Sequence, residues 1–292
     1  MVEKFLNYLK YECNRSAHTV KAYGDDLRAF EAYFKGIDSQ LSWESIDSDV
    51  IRDWMESMMD KGNTATSVNR RLTSVRSLYR FALSRKLVEN DPSHTISGPK
   101  KKKPLPQYLN EKEMDHLLDD SDWSGSFEDL RARTIINIFY STGIRLAELT
   151  GLDDNSIDFA SRQIKVTGKR NKQRIIPFGS ELSADMTEYM EKRDRSVARQ
   201  DNAFFVTKKG HRMTADQVRR EVKQRISLVT SMKKRSPHVL RHTFATAMLN
   251  NSAGIETVKT LLGHENITTT EIYTHTTFEQ LKKAYNEAHP RG

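Results

Sequence analysis

Four short segments of this 292-residue chain collect side chains that can act on an oxyanion. The first, Thr142-Gly143-Ile144-Arg145-Leu146-Ala147-Glu148-Leu149, sets Arg145 one helical turn before Glu148. The second runs from Val166 to Arg174 and carries Lys169, Arg170 and Lys172. The third, His238-Val239-Leu240-Arg241-His242, puts His238 and Arg241 on one helix face. The fourth is Leu261-Leu262-Gly263-His264, followed by Thr268-Thr269-Thr270-Glu271-Ile272-Tyr273. Guanidinium forks suit paired oxygens, imidazoles exchange protons near neutral pH, and a phenol can attack covalently. Each segment alone has an ordinary reading. Arg145 could simply bond Glu148, Lys169 could be a solvated turn residue, and Tyr273 could be packing.

A metal is a poor fit. His238 and His242 are four apart, but the zinc-protease pattern needs a glutamate directly after the first histidine, where Val239 stands. His264-Glu265 fails as well, because Thr268 occupies the position of the second histidine. Cys13 is the only cysteine, so neither an internal disulfide nor a cysteine-cluster metal site can form. No metal and no cofactor is expected.

The elements that must hold these residues are mostly helices. Phe5, Leu6 and Leu9 recur at helical spacing. Ser16 is placed to cap a second helix with Val20, Tyr23, Leu27, Phe30 and Phe34 on one face, and Asp47 a third with Val50, Trp54 and Met58. A fourth stripe comprises Val68, Leu72, Val75, Tyr79 and Ala82. Arg76 and Arg80 lie off that stripe, available to phosphates or merely solvated. Asn110 to Glu113 has capping-box spacing, with Leu109 and Met114 as a hydrophobic staple. A helix over 130–141 ends at Gly143. Residues 163–167 and 172–178 alternate as short strands around a hairpin turn at 168–171. Helices are expected again at 214–229, from Ser236-Pro237, at 255–262, at 268–273 and at 278–288. The class is mostly α with a small antiparallel sheet.

Between the helical start and the remainder lies Ser97-Gly98-Pro99, four lysines, and Pro104-Leu105-Pro106. Prolines around like charges cannot continue a helix, so 98–107 is expected to be a basic linker between domains 1–97 and 108–292. Residues 1–97 carry 14 basic and 14 acidic side chains, so the net charge of +8 lies entirely in the rest. Half of it is Lys100, Lys101, Lys102 and Lys103. That asymmetry favours a polyanionic partner, nucleic acid above all. No stretch is long and apolar enough to span a membrane, and the first residues lack a signal-peptide layout, so a cytoplasmic location without membrane association is expected.

The order Arg145, Lys169, His238-x-x-Arg241, His264, Tyr273, with these flanking words, resembles the tyrosine recombinase (phage integrase) family. The likeness spans nearly the whole chain. Ser16-Ala17-His18-Thr19-Val20-Lys21-Ala22-Tyr23-Gly24-Asp25-Asp26-Leu27 is similar to the start of that family's core-binding domain, and Ile272-Tyr273-Thr274-His275 through His289-Pro290-Arg291 resembles the Xer subgroup, which resolves chromosome dimers. The resemblance implies a two-domain C-shaped clamp, with a helical DNA-binding domain and a mixed α/β catalytic domain. It implies site-specific strand exchange on double-stranded DNA through a Holliday junction. The assembly would be a homotetramer, or a heterotetramer with a paralogue, regulated by a DNA translocase.

Reversible phosphodiester cleavage without a metal needs a nucleophile, cations around the non-bridging oxygens, an acid for the leaving oxygen and a group to take the nucleophile's proton. On this reading Tyr273 is the nucleophile and forms a 3′-phosphotyrosyl link. Arg145 and Arg241 bind phosphate oxygens, His264 donates a further hydrogen bond and His238 is the base. The resemblance gives Lys169 the role of acid. Glu148 orients the site, and His242 packs or supports the residues that act. Arg76, Arg80, Lys101, Lys102 and Arg170 are candidate DNA contacts. Arg170 stands where many relatives have glycine, which changes the turn or adds a phosphate contact. The residues after Tyr273 form an amphipathic tail (Phe278, Leu281, Tyr285) that packs on a neighbouring protomer or folds back on its own domain. Competing functions are a mobile-element integrase, a type IB topoisomerase and a non-catalytic DNA-binding protein.

Overall fold

The computed structural model describes residues 1–101, 107–120, 123–168, 172–263 and 278–292. The chain divides into two compact units, Met1–Pro104 and Leu105–Gly292.

The first unit is helical. Helix α1 (Val2–Asn7) runs into a π-helical turn at Tyr8–Glu12, followed by α2 (Ala17–Ile37), α3 (Ser48–Asp60) and α4 (Ala65–Ser84). The side chains of Ser16, Asp47 and Thr64 accept from backbone N–H groups at the starts of α2, α3 and α4, satisfying donors with no partner inside the helix. The apolar stripes meet in an aromatic core, with Phe30 and Trp54 rings 4.5 Å apart and Trp43 edge-on to Phe34 at 5.3 Å. Beneath it Asp26 is buried, and the Arg70 fork and the Ser74 hydroxyl (2.7 Å) donate to it, tying α2 to α4. The start of the expected linker belongs to this unit, because Asn69 Nδ2 donates to the Pro99 carbonyl at 2.8 Å.

The second unit is built around α6 (Phe127–Thr142), whose Ile135, Ile136, Ile138, Phe139 and Tyr140 are all buried. Every residue from Thr134 to Thr142 is buried, polar ones included, because α8 (Ser180–Ser196), α9 (Ala215–Val229) and α10 (Pro237–Asn250) pack around this helix. The capping box forms as expected at α5 (Glu111–Asp115), which passes into a second π-helical turn at His116–Asp120. Helix α6 starts three residues before the expected 130, because Ser126 caps it. At α10, Ser236 precedes Pro237 as expected, yet its hydroxyl makes no capping bond.

A five-residue helix, α7 (Leu146–Thr150), follows α6, and the sheet has three antiparallel strands in the order β1 (Ile157–Asp158), β2 (Gln163–Thr167), β3 (Gln173–Pro177). Its register pairs Ile164 with Ile176 and Val166 with Arg174. Helix α11 (Ile255–Leu262) closes on Gly263, and α12 (Phe278–Ala288) packs on α10, α11 and β3 of its own unit. The expected helix at 268–273 lies outside the described residues.

Candidate active site

The site forms where two chain turns and a strand meet. Helix α6 ends at Gly143 with φ +59°, and a Cβ there would lie 2.5 Å from the Phe244 ring. Only glycine allows both the left-handed turn and that approach. The turn delivers Arg145 to the head of α7, where its backbone N–H donates to Glu148 Oε2 (2.6 Å) and its Nη1 to Oε1 (3.0 Å). The second turn is at Gly263, φ +64°, at the end of α11. Arg145 Nη2 donates to the Gly263 carbonyl at 2.6 Å. The third contribution comes from strand β3, through Arg174.

Arg241, in the second turn of α10, donates to the Gly143 carbonyl and, at 2.8 Å, to the Leu262 carbonyl. Its guanidinium therefore joins the end of α6 to the end of α11, beside the carbonyl that Arg145 holds. Burial and the repulsion of Arg145 and Arg174 push Arg241 down to about 10, so it remains a cation at neutral pH. Three guanidinium groups here face one carboxylate, Glu148, so the pocket keeps a net positive charge, which is the electrostatic condition for holding an anion.

One carboxylate sits among these cations. Glu148 is buried, which by itself would raise its carboxyl. Hydrogen bonds and charge from Arg174, then those from Arg145, outweigh burial and hold it below the usual value, so it is ionised. Arg174 makes the fork-to-fork pair, Nη1 to Oε1 at 2.6 Å and Nη2 to Oε2 at 2.9 Å. Sequence reasoning assigned Arg174 no role. The available signal was its register: on β3 it shares a face with Ile176, and an arginine on an apolar face requires a partner.

His238 lies in the first turn of α10 and its ring is accessible. Partial desolvation lowers it, followed by the charges of Arg241, His242 and Arg219, so the imidazole is neutral at pH 7 and able to accept a proton. His242, one turn on, is exposed, so of the two roles expected of it packing does not apply. Lys169, Arg170, His264, Tyr273 and Lys102 lie outside the described residues. Their described neighbours Gly168 and Gly263 border the Glu148–Arg174 pair: a Cβ on Gly168 would lie 3.4 Å from Glu148 Oε1, and one on Gly263 3.2 Å from Arg174 Cδ.

In the first unit, Arg76 donates to the carbonyls of Ser93 and Ile96, holding the segment after α4. Arg80 and Lys101 are exposed. Among the described residues no cluster of His, Cys, Asp or Glu is placed to hold a metal, and no helix is long and apolar enough to cross a membrane.

Comparison with known proteins agrees with this arrangement. Residues 107–280 match the phage integrase family, and residues 2–86 match its N-terminal SAM-like domain. The chain is 36% identical to tyrosine recombinase XerC of Chlorobaculum tepidum, over 99% of this chain and 94% of that protein. It is 35% identical to tyrosine recombinase XerC of Staphylococcus saprophyticus, over 99% of this chain and 97% of that one. Among solved structures, XerH recombinase bound to a palindromic difH substrate shares the fold at TM-score 0.74 and 22% identity, covering 97% of this chain and 84% of that chain. The Tn1549 transposon integrase in complex with circular-intermediate DNA does so at TM-score 0.73 and 22% identity, covering 97% of each. The chain belongs to the phage integrase family and is a tyrosine-type site-specific DNA recombinase.

Proposed function

We propose that this recombinase cuts and rejoins one strand at a time through Tyr273, at a chromosomal site, and that its task is the resolution of chromosome dimers. The observation that carries the chemistry is the pocket in which Arg145 and Arg174 hold the Glu148 carboxylate, with the buried cation of Arg241 and the accessible His238 on α10. The task is supported by full-length similarity to the XerC recombinases.

In the proposed step the Tyr273 oxygen attacks phosphorus and the bond from phosphorus to the 5′ oxygen breaks. His238 takes the phenolic proton and Lys169 supplies one to the departing 5′ oxygen. Arg145 and Arg241 balance the charge that builds on the non-bridging oxygens, and His264 donates to one of them. The phosphotyrosyl ester conserves the bond energy, so the free 5′-hydroxyl of the exchanged strand reseals it without a nucleotide cofactor. Glu148 holds Arg145 in place, and His242 supports His238 from the next turn.

Residues 1–97 serve as the core-binding domain, and Arg80, Lys101, Lys102 and Arg170 contact the backbone. Arg76 contributes indirectly, through the segment it anchors. Four protomers, of this chain alone or with a paralogue, hold two duplexes in the cytoplasm, and a DNA translocase sets the timing.

A plasmid carrying two direct copies of a site selected by the protein from random-sequence DNA tests this reading. In buffer with a metal chelator, the expected product is two smaller circles from the two-site plasmid and none from a site-free control. Relaxation of the site-free plasmid would instead show topoisomerase action.

A further inference from the structure

Arg174 makes more protein contacts than any role so far requires. Its fork holds both Glu148 oxygens, its Nε donates to the Leu261 carbonyl at 3.1 Å, and its side chain lies against Gly263. Glu148 in turn receives the Arg145 backbone and guanidinium, and Arg145 Nη2 returns to the Gly263 carbonyl. The contacts close a loop, Arg174 to Glu148 to Arg145 to Gly263 and back to Arg174. That loop joins the head of α7, strand β3 and the turn after α11. It borders Gly168 and Gly263, which directly precede the candidate residues Lys169 and His264.

Exposure divides the labour. The Arg145 side chain is 37% exposed, Arg174 9% and Glu148 2%. A buried carboxylate left with no cation is costly. Arg145 can turn donors toward a phosphate oxygen only if another cation keeps Glu148 ionised and in place, and Arg174 is built for that. A buried ion pair adds little net stability compared with apolar packing, so its use here is better explained by the geometry it fixes.

We propose that Arg174 is a positioning residue of the strand-cleavage reaction: through Glu148 it fixes the Arg145 fork, and through Leu261 and Gly263 it fixes the turn that leads to His264. The proposal rests on the recombinase reading given above.

The test uses full-length wild type, Arg174→Gln and Arg174→Lys on a nicked suicide duplex built on the selected site. It measures affinity for intact duplex, thermal midpoint and single-turnover formation of covalent adduct from pH 5 to 9. Arg174→Gln is expected to bind DNA nearly as wild type does and to form adduct about 100-fold more slowly, the scale of a small misplacement at a reacting centre. Its acid limb should move to higher pH, because burial then raises the Glu148 carboxyl without Arg174 to oppose it. Arg174→Lys keeps a cation by Glu148 but loses the paired fork to its two oxygens and the Nε donor to the Leu261 carbonyl. It is expected to fold, bind and recover part of the rate, and it carries the test if Arg174→Gln does not fold. Cleavage by Arg174→Gln at the wild-type rate overturns the proposal. So does a rate that falls only in step with affinity or thermal midpoint while the acid limb stays put. Absence of adduct from wild type would overturn the recombinase reading and this proposal together, whereas variant results bear on Arg174 alone.

Discussion

Arg241 sets the electrostatics of the pocket, since it is buried, cationic and anchored to carbonyls at the ends of two helices. Arg241→Ala is expected to slow covalent adduct formation by about 100- to 1000-fold, the usual effect of removing one preorganised donor. Arg241→Lys should restore little of it, because an ammonium cannot span both the Gly143 and Leu262 carbonyls and still present a planar edge. Single-turnover kinetics on the suicide duplex would show this, and a lysine variant at the wild-type rate would refute the geometric role. Arg145, Glu148, His238 and Arg241 were legible because the order of the motifs resembles a known family, and the short spacing within each pair puts Arg145 with Glu148 and His238 with Arg241 on one turn. Arg174 was not, since its partner Glu148 lies 26 residues away and only tertiary folding brings them together.

Helix α12 shows how a tail of modest apolar content is held. Leu281, Tyr285 and Ala288 are buried, and the His289 ring stacks on Tyr285 at 5.2 Å. The Tyr140 carbonyl can only accept, so His289 Nε2 donates to it at 3.1 Å, while Nδ1 accepts from the Arg291 backbone. Both ring nitrogens are thus used by the neutral form, and burial pushes the group down from 6.5 to about 4. An unfolded histidine binds its proton at higher pH than this one. The stability His289 contributes is therefore complete above about pH 6.5 and is lost as pH falls toward 4, with an upper size on the order of 3 kcal/mol. Thermal melts of wild type and His289→Gln from pH 7 to 4.5 should show a shallower acid loss in the variant, and equal slopes would argue against it. Element existence was readable wherever a cap and an apolar stripe coincide, as at Ser16, Asp47 and Thr214. Helix α7, strand β1 and the extent of α8 were not, because two are very short and α8 shows only Leu182, Met186 and Tyr189 as its buried apolar stripe.

Across the whole chain, charge is divided as the work is. The first 97 residues are electrically balanced, and the excess of +8 lies in the lysine run and the unit that carries the arginine pocket. Each unit has its own core: aromatic residues on four helices in Met1–Pro104, and a cluster around the buried 134–142 stretch of α6 in Leu105–Gly292. The arginine pocket lies in the second unit, and its net positive charge suits an anionic ester, the substrate proposed for Tyr273. The most direct measurement is peptide mapping by mass spectrometry of the protein trapped on the nicked suicide duplex in the presence of a metal chelator. The account predicts a single DNA-linked peptide carrying Tyr273, and no adduct from Tyr273→Phe. A covalent adduct retained by Tyr273→Phe, or mapped to another residue, would contradict it.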